Sequence, residues 1–123
     1  MTTLDLGPGN FAATVTEHEI VLVDFWASWC GPCRQFAPVF ERASEAHPDI
    51  VFGKVDTEAE AALAAAARIS SIPTLMVFKR GVPVFSQPGA LTATSLERLV
   101  SAVRGLDVDE APAASPAPNE RSA

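Results

Sequence analysis

Residues 20–27 read Ile-Val-Leu-Val-Asp-Phe-Trp-Ala. The run is β-branched, aromatic and almost unbroken in its apolarity, the pattern of a strand covered on both faces. Such a strand needs apolar layers above and below it, and the neighbouring segments supply them. Residues 4–6 are a weak strand and residues 8–15 a short helix. Residues 32–46 place Phe36, Val39, Phe40 and Ala43 on one helical stripe, which His47-Pro48 ends. Residues 50–55 are a strand, and residues 58–67, with seven alanines, are a helix of high propensity. Residues 74–78 are a strand, Lys79-Arg80-Gly81 a turn, and residues 82–85 the returning strand of a hairpin. Residues 95–103 close the series as a helix, with Leu96, Leu99, Val100 and Val103 as its apolar face. The order β-α-β-α-β-α-β-β-α predicts a mixed three-layer α/β domain whose early strands are parallel and whose last two are antiparallel. The 123 residues suffice for one such domain and one core.

The domain is expected to span residues 1–106. From Asp107 the composition turns to acids, alanine, serine and proline, including Asp109, Glu110, Pro112, Pro116 and Pro118. Four acids against Arg121 give residues 107–123 a net −3, half of the chain's −6. Little there can bury apolar area, so an acidic Pro/Ala-rich disordered tail is expected, a passive solvated end rather than a binding arm.

The acidic balance leaves no basic surface for nucleic acid or an anionic membrane. The N-terminal Met1-Thr2-Thr3-Leu4-Asp5 lacks the basic and apolar regions of a signal peptide. The apolar run at 20–29 contains Asp24 and is far too short to span a bilayer. A cytoplasmic protein is therefore expected.

The only two cysteines stand in Trp29-Cys30-Gly31-Pro32-Cys33, between the apolar strand and a helix. Two thiols at i and i+3 there can close into a small ring and reopen, a reversible redox centre. The helix N-terminus contributes about 0.3–1 kcal/mol to an anion, up to about 2 when partly buried. With about 1.4 kcal/mol per pKa unit, the dipole alone acidifies Cys30 by about one unit. Pro32 suits the first helical turn, where no N–H is needed, and limits the freedom of the open loop. The loop is expected to expose Cys30 and to leave Cys33 behind it. Zinc normally takes four ligands. There is no second CxxC, and His18 and His47 are isolated, so no metal site is expected within one chain. A clamp shared by two chains is a rival, and a redox-inactive binding module is another. His18 and His47 read as solvated helix-end or turn residues.

Asp24 interrupts the apolar strand. It is either a buried proton acceptor with a raised pKa or a strand-end acid that reaches water. Lys54, in Phe52-Gly53-Lys54-Val55, is either its partner from an adjacent strand or an ordinary snorkelling lysine. Pro73 in Ile72-Pro73-Thr74 is a strand breaker or a cis residue that brings backbone to the redox loop. Pro38 should kink its helix. Gly89 signals a tight turn or a close backbone approach.

Together, Val23-Asp24-Phe25-Trp26-Ala27-Ser28-Trp29-Cys30-Gly31-Pro32-Cys33, Ala37-Pro38, Lys54-Val55-Asp56, Ile72-Pro73-Thr74 and Pro88-Gly89-Ala90-Leu91 resemble the thioredoxin family, most nearly its bacterial, actinobacterial-type members. The resemblance covers residues 4 to about 105. It implies a thioredoxin fold, a central mixed five-stranded sheet flanked by four helices, with Pro73 cis. It implies Cys30 as the attacking thiolate, Cys33 as the resolving thiol, and Asp24, coupled to Lys54, as the acceptor of the Cys33 proton. Trp29, Gly31, Pro32, Ile72, Pro73, Gly89 and Ala90 would form an apolar docking surface for disulfide-containing proteins. No cofactor would be bound; electrons would come from NADPH through thioredoxin reductase to a monomer. Ser71 stands where the family often has glycine, and Pro88 where it usually has an aliphatic residue. Both alter the docking rim and leave the thiol chemistry untouched.

Overall fold

The computed structural model describes residues 2–108. The acidic tail expected from Asp107 therefore lies, beyond Val108, outside the described residues. The elements run β1 (Thr3–Asp5), α1 (Phe11–Glu17), β2 (Ile20–Trp26), α2 (Gly31–Ala46), β3 (Val51–Asp56), α3 (Ala61–Ala66), β4 (Thr74–Lys79), β5 (Val82–Pro88) and α4 (Ala93–Arg104). They form one mixed five-stranded sheet in the order β1-β3-β2-β4-β5. β3 runs parallel to both β1 and β2, whereas β4 is antiparallel to β2 and β5 to β4.

β2 lies at the centre, and its alternating side chains build two cores. Ile20 and Leu22 join Phe36, Phe40, Phe52, Leu96 and Val100 on the side of α2 and α4. Val21, Val23 and Phe25 join Leu6, Val15, Val55 and Phe78 on the other side, edged by Leu63 and Ile69 around α3. At Gly53 a β-carbon would lie 2.3 Å from Leu6 Cδ1, so glycine is what lets Leu6 cross β3.

Several element limits differ from expectation, for local reasons. α1 starts at Phe11 rather than residue 8. The Asn10 side-chain Oδ1 accepts from the Gly7 N–H at 2.8 Å and its Nδ2 donates to the Asp5 carbonyl, which folds residues 7–10 into a turn. α3 is shorter than residues 58–67 because Asp56 Oδ1 accepts from the N–H groups of Glu58 and Ala59 and holds a turn ahead of it. β5 extends to Pro88, which pairs with Thr74; proline is tolerated on this edge strand. α2 continues through Pro38. The hairpin turn is the two residues Arg80 and Gly81, with φ of 55° and 82°.

Lys79 belongs to β4, not to the turn. It is only 5% exposed, and its ammonium donates to the carbonyl oxygens of Val103, Arg104 and Leu106. The first two are carbonyls of the last turn of α4, which lack intrahelical donors, and the third belongs to the chain just beyond it. Nearby, His47 is more than a solvated helix end. Arg104 donates to its Nδ1 at 3.0 Å and forks onto both oxygens of Asp49, while Nε2 faces Glu97 at 2.8 Å. Since arginine only donates, His47 Nδ1 carries a lone pair and Nε2 the proton. This cluster ties the ends of α2 and α4 together. It sits at the pole where β2 begins, because Lys79 pairs with Ile20.

Candidate functional site

At the other end of β2 the chain leaves the sheet through Ala27-Ser28-Trp29 and enters α2. Cys30 is the N-cap of α2, and its sulfur accepts from the Cys33 N–H at 3.2 Å. Pro32 lies in the first turn, where its missing N–H costs nothing. The two cysteines form a disulfide, with Cα atoms 5.2 Å apart. In this closed state the expected contrast in exposure is small: Cys30 is 5% and Cys33 2% exposed. Ala27, Trp26 and Ile72 pack over the pair.

The loop before β4 completes the site. The Ile72 carbonyl oxygen lies 3.7 Å from Cys30 Sγ, and the Ile72–Pro73 bond is cis. The Pro73 carbonyl accepts from the Gly89 N–H at 2.8 Å. Gly89 has φ of 104° with open space around a notional β-carbon, so backbone conformation, not crowding, asks for glycine there. Trp29 is 64% exposed. Pro32, Gly89 and Ala90 are exposed too, Gly31 and Ile72 are half-buried, and Pro73 is buried, so it shapes this surface from beneath.

Asp24 is 1% exposed, which rules out the strand-end reading. Neither carboxylate oxygen has a hydrogen-bond partner. Burial pushes its pKa up to about 7, against a lowering contribution from Lys54. By strand alternation it shares the α2 face with Leu22. Lys54 lies opposite it in the β2–β3 register. Its ammonium stands over the Trp26 ring, 5.1 Å from the centroid, and not within salt-bridge distance of Asp24. Lys54 and Trp26 line a cleft of about 230 Å³ together with Asp5, Asp56 and Glu60. The lysine thus stays near solvent while the acid does not. Trp26 Nε1 is also buried without a partner.

Two contacts at the site carry no sequence signal, because each depends on how a long side chain folds back. The Trp29 indole N–H donates to Glu58. Arg34 donates to the Ser28 carbonyl at 3.0 Å. Together they brace the segment in front of Cys30 from both sides.

A dithiol that closes at a helix N-terminus, against a carbonyl loop and following a strand that carries a buried acid, is suited to exchanging electrons with other disulfides. The class this defines is the thiol–disulfide oxidoreductases built on a mixed α/β sheet. The chain belongs to the thioredoxin family, whose profile matches residues 2–102. A Streptomyces coelicolor member is 58% identical over 109 residues, covering 89% of this chain and 81% of that one. The thioredoxin of Mycobacterium tuberculosis is 41% identical over 103 residues, covering 82% and 89%. The solved Plasmodium falciparum thioredoxin superposes with a TM-score of 0.75 at 33% identity, covering 81% of this chain and 98% of that one. The chain is accordingly a thiol–disulfide oxidoreductase that works by reversible closure of Cys30–Cys33.

Proposed function

We propose that this protein reduces disulfides in other proteins, with Cys30 as nucleophile and Cys33 as resolving thiol. The observation that carries the assignment is the position of Cys30 as N-cap of α2, with the Cys33 N–H directed at its sulfur. That amide and the helix dipole stabilise a thiolate on Cys30. The thiolate attacks the target disulfide, forming a Cys30–target bond and releasing one target thiolate. Cys33 passes its proton to Asp24 and attacks Cys30 Sγ. The mixed disulfide breaks, the second target thiolate leaves, and the Cys30–Cys33 disulfide remains. The target gains two electrons and the dithiol loses two.

Asp24 suits this role because a carboxylate that titrates near neutrality both accepts and returns a proton at working pH. Lys54 opposes the rise in its pKa from the adjacent strand. Trp29, Gly31, Pro32, Ile72, Gly89 and Ala90, with Pro73 beneath them, form the apolar docking surface. NADPH, through thioredoxin reductase, returns electrons to the closed disulfide. The setting is the cytoplasm, where the dithiol serves electron transport and redox homeostasis as a monomer. No helix among the described residues is long and apolar enough to cross a membrane.

Insulin reduction tests the assignment. Cys30→Ser should abolish turnover and form no mixed disulfide, whereas Cys33→Ser should stall with the target bound to Cys30. Trapping through Cys33 in the Cys30→Ser variant reverses the two roles.

A further inference from the structure

α3 ends in a motif that normally takes glycine. The Arg68 N–H donates to the Ala65 carbonyl and the Ile69 N–H to the Ala64 carbonyl, both at 3.0 Å. Ile69 and Leu63 pack on the same apolar cluster and close the motif. Arg68 occupies its left-handed position with φ of 61°, where a β-carbon costs stability that glycine does not. The side chain recovers nothing inside the fold: it is exposed, and among the described residues it makes no hydrogen bond or ion pair.

Its place is what gives it a use. Arg68 is four residues before Ile72, so their Cα atoms are within about 14 Å even if the chain is fully extended. An ordinary protein interface covers about 800 Å² per partner, a disc of roughly 16 Å radius. A disc of that size centred on Ile72 therefore extends as far as the Arg68 Cα. Other charges near the loop are engaged: Arg34 on the Ser28 carbonyl, Glu58 on Trp29, Asp56 on its own turn.

We infer that Arg68 is a specificity-determining residue of the docking rim, held in a left-handed conformation so that its guanidinium meets a carboxylate flanking the disulfide of a protein substrate. This rests on the docking surface proposed above. Arg80 is an internal control. It has φ of 55° and is also exposed, but it lies on the hairpin at the opposite end of β4.

The test uses the reduced full chain, neutral hydroxyethyl disulfide, and two synthetic disulfide-cyclised peptides that differ only in flanking Glu or Gln. At low ionic strength the wild type should reduce the Glu peptide about two- to five-fold faster, the range of an exposed charge pair. Arg68→Lys should keep that preference, Arg68→Gly should lose it, and Arg68→Glu should reverse it. All should reduce hydroxyethyl disulfide equally. Arg68→Gly and Arg80→Gly should both melt at higher temperature, yet Arg80→Gly should keep the preference. An undiminished preference in Arg68→Gly, or a lower melting temperature for it, overturns the inference. Wild type inert toward hydroxyethyl disulfide overturns the redox reading, and this inference with it.

Discussion

The two poles of the central strand treat buried polar groups in opposite ways. Where β2 begins, Lys79 is buried with its ammonium donating to three carbonyls, and at the surface beside it Arg104 forks onto Asp49. Toward the end of β2, the Asp24 carboxylate and the Trp26 indole nitrogen are buried without a hydrogen-bond partner. A satisfied buried group holds elements in place. An unsatisfied one costs stability and keeps its protonation state open to change. The fold therefore concentrates stability at one end of β2 and reactivity at the other.

Asp24→Asn probes this contrast where the effect is largest. General acid–base groups contribute about 10²–10⁴-fold, so resolution of the mixed disulfide should slow by a factor in that range near neutral pH. Stability should move the other way. The folded pKa of Asp24, about 7, lies above the ordinary carboxylate value, so ionisation is penalised only in the fold. Wild-type stability is thus full below about pH 4 and falls as pH rises to about 7, by about 4 kcal/mol in all. Urea melts of Asp24→Asn should lack that fall; equal pH slopes for the two proteins would show that the acid is not penalised as described.

Lys79→Ala should do the reverse. Removing three donors from the end of α4 should cost about 2–4 kcal/mol in urea melts. Below the transition, reduction of hydroxyethyl disulfide should be unchanged. A large loss of activity in the folded variant would break the separation of the two poles.

Asp49→Asn should have the smallest effect. Hydrogen bonds from Arg104 lower the Asp49 pKa to about 2. Its contribution is present above the ordinary carboxylate pKa and is lost as pH falls from about 4 to about 2. The pair is exposed, so the variant should melt only slightly lower at neutral pH and should lose less on acidification. A melting temperature that is indifferent to the substitution at every pH would remove Asp49 from the stabilising pole.

The sheet was legible because β2 announces burial on both faces and α2 and α4 carry clear apolar stripes. The starts of α1 and α3 were not, since Asn10 and Asp56 spend their side chains on turns that a periodicity does not register. The redox pair is visible from spacing alone, and Asp24 from being an acid in the wrong company. Lys79 gave no such sign. A lysine beside Arg80-Gly81 reads as turn, and only the convergence of β4 with the end of α4 buries it. Glu58 and Trp29 are 29 residues apart, and their contact depends on the turn that Asp56 makes.

The Lys79 contact with Leu106 also decides which way the protein can be held. It anchors the outgoing chain to the end of β4 that pairs with the start of β2, one strand length, roughly 20 Å, from the redox loop. An electrode, bead or fused enzyme coupled through that side faces away from Cys30, and Trp29 and Ile72 stay open to incoming disulfides. Coupling through the first turn of α2 or the β4–β5 edge near Gly89 offers no such clearance. The molecule thus has a natural handle and a working end.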